Sequence, residues 1–203
     1  MGYLMGILAA YLIGCSNMAY YVAKLKKADM QKHGSGNLGA SNATVLFGWG
    51  AGVLVAVHDI GKGVLAVLLA QLVFPDLPYI GAAAGVACVM GHIFPFYLKF
   101  KGGKGLASFI GMSLALNWKI ALAALIVLVL ATLITDYIVF GTLGTILVVP
   151  VGMGIAFQNV FLPLIILIAT AVIIGKHLEN FRRILKGTEI GLRSTIQGEN
   201  RIK

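Results

Sequence analysis

Charge is scarce in this chain of 203 residues: only 11% are Asp, Glu, Lys or Arg, and just seven are acidic. Ordinary soluble domains run near ~25% charged. So little charge, with 59% hydrophobic residues and a mean hydropathy of +0.93, excludes a soluble domain and points to a polytopic membrane protein. Cysteine is nearly missing, and Cys15 and Cys88 both lie inside apolar runs. That excludes a disulfide framework and a thiolate metal set. No His/Cys spacing suggests zinc. No polar loop holds a pair of carboxylates, which argues against a two-metal phosphotransferase. No metal or organic cofactor is expected. The first 23 residues lack any charge. A cleavable signal peptide normally starts with bases, so this segment reads as a retained span.

What charge there is comes mostly as bases. The formal net charge is +9, and 14 of 16 Lys/Arg fall in Lys24–Lys32, Lys99–Lys104 and Lys176–Lys203. A nucleic-acid binder would interleave bases with aromatics on one face; here the aromatics sit in or beside the apolar runs. No nucleic-acid partner is expected, and the clustering follows the positive-inside rule. It places the N-terminus outside, and Lys24–Lys32 in the cytoplasm.

The expected spans are 3–22, 51–74 and 79–98, with Pro75-Asp76-Leu77-Pro78 as an external turn. From Gly105 to Gly175 run 71 residues in which only Lys119 and Asp136 are charged. Both ends abut basic segments, so an even number of crossings must fit. At ~1.5 Å per residue the stretch is ~106 Å of helix. Two crossings would each be ~53 Å; four would each be ~27 Å, close to the ~30 Å hydrocarbon core. Asn117–Lys119, Thr135–Tyr137 and Gln158–Asn159 mark the turns, giving spans 105–117, 120–135, 137–157 and 160–175. The expectation is a single all-α membrane domain over 1–203, with seven transmembrane helices, N-terminus outside and C-terminus cytoplasmic. Beyond residue 175, Ile184 and Leu185 among bases suggest a helix lying along the anionic inner leaflet.

Three polar segments share the cytoplasmic side on this topology. The loop Gly34–Asn42 carries Ser35, Gly36, Asn37 and Asn42, hydrogen-bond donors suited to phosphate oxygens. Lys99–Gly105 packs three lysines and three glycines into seven residues. There Gly102 and Gly103 admit an oxyanion to the backbone amides, and Lys101 and Lys104 add charge. This is not a nucleotide P-loop, because Gly105 stands where Ser or Thr should follow the lysine. The tail supplies Arg183, whose planar fork suits phosphate, and His177. His92 reads either as a ligand donor or as a capped core histidine near Pro95. Asp59 and Lys62 share a helix face inside a span, either as intramembrane support for the site or as a structural ion pair. No Ser-His-Asp set is legible, though Ser35 lies near His33. Donors and cations without an evident nucleophile suit a substrate that arrives activated.

These residues give the chain a resemblance to the bacterial acyl-phosphate:glycerol-3-phosphate acyltransferase family, the PlsY type. It rests on Gly34-Ser-Gly-Asn-Leu-Gly-Ala-Ser-Asn42, Asp59-x-x-Lys62-Gly63, Gly91-His92 with Lys101-Gly-Gly-Lys-Gly105, and His177-x-x-Asn180-x-x-Arg183 with Gly187-Thr-Glu189. The resemblance implies an inner-membrane enzyme, its site facing the cytoplasm, moving a fatty acyl group from acyl phosphate to glycerol 3-phosphate. The products would be lysophosphatidic acid and phosphate. It implies catalytic roles for Ser35, Lys104, His177 and Asn180. It matches Asn37 and Arg183 to phosphate and substrate contacts; Gly36, Asn42, His92, Lys101, Gly102, Gly103 and Glu189 are candidate substrate or phosphate contacts on the chemistry of the residues alone. Leu38 and Ser41 replace the proline and threonine usual in the first motif. Val45 stands where that motif has a phosphate-binding arginine, which leaves open a paralogue with another acceptor or no activity. A transporter of an anionic phosphorylated substrate, motivated by Asp59 and Lys62, and an anionic-lipid-binding protein are the readings from other classes.

Overall fold

The computed structural model describes residues 1–198; the end of the basic tail, with Arg201 and Lys203, lies outside them. Among the described residues the regular structure is entirely helical. Helices α1 (Gly2–Cys15) and α2 (Met18–Leu25) are separated by a break at Ser16–Asn17. Then come α3 (Ala40–Phe47), α4 (Trp49–Val73), α5 (Ile80–Ile93), α6 (Leu106–Leu116), α7 (Trp118–Thr135), α8 (Ile138–Phe157), α9 (Phe161–Leu185) and α10 (Leu192–Gln197). Asparagines start several of them by accepting first-turn amides. Asn17 caps α2 at Tyr20, Asn117 caps α7 at Lys119 and Ile120, and Asn159 takes the amides of Phe161 and Leu162.

Six helical segments among the described residues are long and apolar enough to cross a membrane, counting α1 and α2 as one segment, Gly2–Leu25. Burial follows that setting. Only Ala121 and Ala124 of α7 are buried, while Leu122, Val129 and Leu133 point outward. Such an apolar face would be a liability in water but is a normal lipid face, and small residues make the helix contacts.

Three expectations need correction. The expected span 105–117 is α6, an 11-residue helix, ~16 Å long and about half of a ~30 Å hydrocarbon core. The tail forms no separate surface helix up to Leu185, because α9 continues through Gly175 for 25 residues; a lone glycine weakens a helix without ending it. The Gly34–Asn42 segment is not all loop, since Asn42 already lies in α3.

Close helix contact puts α6 where the site needs it. A Cβ at Gly63 would run into the Ser108 carbonyl, and one at Gly111 into the Ile60 carbonyl. Glycine at both positions lets α4 and α6 touch backbone to backbone.

Candidate active site

A pocket opens where the Gly34–Asn42 segment, the start of α6, the start of α8, α9 and Thr188–Ile190 meet. Its empty space is about 930 Å³ with the open solvent at its mouth included. Ser35, Asn37, His92, Lys104, His177, Asn180 and Arg183 all line it. Residues spread over 149 positions of chain, Ser35 to Arg183, are thus brought together.

Helix α9 presents His177, Asn180 and Arg183 at a spacing of three, so one face carries all of them. The Lys104 amine donates to Asn180 Oδ1 at 2.5 Å, and Asn180 Nδ2 donates to Glu189 Oε1 at 2.6 Å. Arg183 Nε donates to Glu189 Oε2 at 2.5 Å, while its Nη2 is buried without a protein partner among the described residues. A buried guanidinium nitrogen left unpaired is costly unless a ligand completes it. The Lys104 ammonium is held in a chain of fixed donors and acceptors, with a cationic neighbour whose free edge awaits an anion.

Burial pushes the Lys104 amine down to about 8, helped by the Arg183 charge and opposed by Glu189. The unfolded chain therefore binds the extra proton between about pH 8 and the ordinary lysine value, and folding stability from this group rises with pH across that window. An anion entering the pocket favours the charged form and reverses the shift. Binding of inorganic phosphate at about pH 8.5 is expected to take up a fraction of one proton. Calorimetry in buffers of different ionisation enthalpy measures it; zero uptake would mean Lys104 is charged throughout.

Two helix N-termini also face the pocket. Helix α6 starts at Gly105, with φ +95°, and has no side-chain cap. Among the described residues the amides of Leu106 and Ala107 have no acceptor, and both residues line the pocket. Helix α3 begins uncapped at Gly39, with Ala40 and Ser41 on the pocket wall. Free first-turn amides and the positive end of the helix dipole attract anions. Sequence reasoning missed both; the one available signal was an apolar helix beginning right after a glycine beside Lys104.

Several expected ligands do other work. The amides of Gly102 and Gly103 donate to the carbonyls of Ile93 and His92, each at 3.1 Å, so they close the C-terminus of α5 and are not free for an oxyanion. Lys101 is exposed and lies outside the pocket, its carbonyl accepting from Gln31. Gly36 supplies a left-handed turn at φ +69°, its amide held by the His33 carbonyl. Asn42 is spent on the loop: Oδ1 accepts from the Ser35 amide, and Nδ2 donates to the carbonyls of Met30, His33 and Asn37. Glu189 is acceptor-only when ionised, and its two oxygens position Asn180 and Arg183. The Ser35 hydroxyl and Asn37 side chain make no protein hydrogen bond among the described residues and remain available. His33 turns to the Asp29 carbonyl, 2.8 Å away, so it forms no pair with Ser35. Val45 is buried on the pocket wall. Thr142 lines the wall as well, its hydroxyl donating to the Ile138 carbonyl.

Below the pocket lies a second polar cluster. Lys62 is 2.9 Å from Asp59 Oδ1, 2.9 Å from His92 Nδ1 and 2.6 Å from the Ser16 carbonyl. His58 reaches Asp59 with Nδ1 and Ser16 Oγ with Nε2. Asp59 and Lys62 are thus a buried ion pair, joined through Oδ1, in a cluster that reaches the pocket at Asp59 and His92.

Fold and site together define an integral-membrane protein with a pocket, at one end of a helix bundle, that gathers Lys104, Arg183 and two uncapped helix N-termini. Residues 4–187 match the glycerol-3-phosphate acyltransferase family, and the chain belongs to it. It is 38% identical over 191 residues to a glycerol-3-phosphate acyltransferase of Coxiella burnetii, covering 93% of this chain and 97% of that one. To glycerol-3-phosphate acyltransferase 1 of Oceanobacillus iheyensis it is 35% identical, covering 96% and 97%. Among solved structures it superposes on PlsY (YgiH), an integral membrane glycerol 3-phosphate acyltransferase, in its glycerol 3-phosphate form. The TM-score is 0.88 at 32% identity, with 95% of this chain and 96% of that one covered.

Proposed function

We propose that this chain transfers a fatty acyl group from acyl phosphate to glycerol 3-phosphate, releasing lysophosphatidic acid and phosphate, in phospholipid synthesis. The carrying observation is the convergence of Lys104, the unpaired edge of Arg183 and two uncapped helix N-termini on one pocket. They neutralise phosphate groups, while Ser35 and Asn37 add neutral hydrogen bonds. The glycerol hydroxyl oxygen forms the new bond to the acyl carbon. The carbon–oxygen bond to phosphate breaks, and the hydroxyl proton leaves with the phosphate. His177 Nδ1 lies 2.8 Å from the Ile173 carbonyl and so carries the proton. Its Nε2 is then the acceptor that orients, or transiently takes, the hydroxyl proton. An apolar groove between α3, α4 and the start of α8 shares Ala40, Ser41, Ile138 and Ile190 with the pocket and leads an acyl chain to the bilayer.

The same geometry supports seven crossings. Lys104 and Arg183 share a pocket, so an even number of crossings lies between them. Helices α7, α8 and α9 supply three, and α6 supplies a short fourth, screened from lipid by its packing on α4. With the bases of Lys24–Lys32 and Lys99–Lys104 inside, the N-terminus is outside and the site faces the cytoplasm of a bacterial cell membrane.

Acyl transfer from palmitoyl phosphate to labelled glycerol 3-phosphate tests the reading. A folded protein inactive with every phosphorylated acceptor would defeat it, and uptake of labelled glycerol 3-phosphate into proteoliposomes without donor would favour a transporter. In the same assay Val45→Arg is expected to lower the Michaelis constant for glycerol 3-phosphate roughly tenfold, the worth of one charge-assisted contact. An unchanged or raised value would mean that Arg183 already makes that contact.

A further inference from the structure

Lys62 is a cation almost sealed inside the protein, with three acceptors around its three N–H groups. They are the Ser16 carbonyl at 2.6 Å, Asp59 Oδ1 at 2.9 Å and His92 Nδ1 at 2.9 Å. The Ser16 carbonyl is free to accept because the α1–α2 break leaves it outside both helices. An ammonium has no lone pair to offer, so His92 Nδ1 must accept. Asp59 Oδ1 is a poorer partner for that nitrogen, at 3.5 Å, and it already accepts from Lys62 and His58.

The proton of neutral His92 then sits on Nε2. That atom has no protein partner among the described residues, and His92 lines the pocket although it is only 3% exposed. Gly103 lies against it: a Cβ there would strike Nε2. The absence of a side chain keeps this edge of the ring open beside the loop that carries Lys104. The hydrogen bond made at one ring nitrogen of a histidine decides which nitrogen carries the proton. His177, which also lines the pocket, has the reverse arrangement, with Nδ1 protonated by its bond to Ile173.

We infer that His92 is a ligand-binding residue that donates from Nε2–H to an anionic phosphoryl oxygen in the pocket, and that Lys62 is the positioning residue that fixes this tautomer. The inference rests on the proposed reaction for the identity of the bound phosphate, but the tautomer does not. The two histidines then divide the work: His92 gives a hydrogen bond and His177 receives one.

Nitrogen-15 spectra of histidine-labelled protein in micelles test this directly, with His92 assigned by its loss in His92→Gln. Wild type should show His92 protonated at Nε2 and His177 at Nδ1, and glycerol 3-phosphate or inorganic phosphate should shift the His92 Nε2 resonance. In Lys62→Met, His92 should move to the Nδ1–H form, because Asp59 becomes its remaining partner. His92 protonated at Nδ1 in wild type, or unchanged in Lys62→Met, overturns the tautomer assignment. A His92 resonance indifferent to both phosphates overturns the ligand role. In turnover, glutamine can present an N–H near the position of Nε2 and phenylalanine cannot. His92→Phe should fall about tenfold below His92→Gln in kcat/KM, the worth of one hydrogen bond to a charged group; equal values count against the donor role. An enzyme inactive with every acceptor whose His92 still shows the stated tautomer and phosphate shift would refute the proposed reaction and leave this inference standing.

Discussion

Replacing Lys104 by alanine is expected to lower kcat/KM for acyl transfer by about 10²–10³-fold, the usual cost of removing one preorganised charge donor from a closed site. The amine is the one lysine on the pocket wall among the described residues, held at 2.5 Å by Asn180 and linked to Arg183 through Asn180 and the Glu189 carboxylate. Without it Asn180 Oδ1 loses its donor, and Arg183 loses its cationic neighbour beside the ligand. Stability should change little, since the variant also relieves the burial that lowers this amine to about 8. Thermal unfolding in detergent, read beside the kinetics, separates a damaged site from a damaged fold. Kinetics like those of the parent protein would remove Lys104 from the site altogether.

Gly103→Ala is expected to cost on the order of 10²-fold in kcat/KM, since about 1 Å of displacement at a reacting group costs that much. The added methyl would land on His92 Nε2 and against the Leu38 carbonyl. Neither can yield easily. The imidazole is pinned by Lys62, and Leu38 carries the Asn17 side chain on its carbonyl. The loop must retreat instead, taking Lys104 with it and loosening the Gly102 and Gly103 bonds that close α5. Overpacking of this kind destabilises by about 1–3 kcal/mol. A variant with normal turnover and a normal melting temperature would show that the loop and His92 are not in contact in solution.

Both substitutions touch a motif whose importance is plain in the sequence but whose workings are not. Three lysines and three glycines in seven residues suggest an amide cradle for phosphate. In the folded chain the Gly102 and Gly103 amides terminate α5 instead. The free amides are one step further on, at Leu106 and Ala107, residues that look like any others in an apolar helix. Lys101 and Lys104, equivalent on paper, diverge because the turn at Lys99 and Phe100 sends one to the surface and the other into the pocket. Asn42 and Glu189 likewise have ligand-like chemistry, but their polar atoms are consumed by the protein's own backbone and side chains.

The sequence by itself determined the membrane class, because apolar runs of about 20 residues admit few other structures. It also determined the turns at Asn117 and Asn159, where side-chain caps act within three residues, and the grouping of His177, Asn180 and Arg183, because helical periodicity is local. Only the tertiary structure decided how far α6 reaches, which glycine amides stay free, and that Lys62 spends its three N–H groups on Ser16, Asp59 and His92. Those outcomes depend on which groups from distant segments meet first. A hydrogen-bonding atom has few bonds to give, and its partners are set by packing, not by residue type.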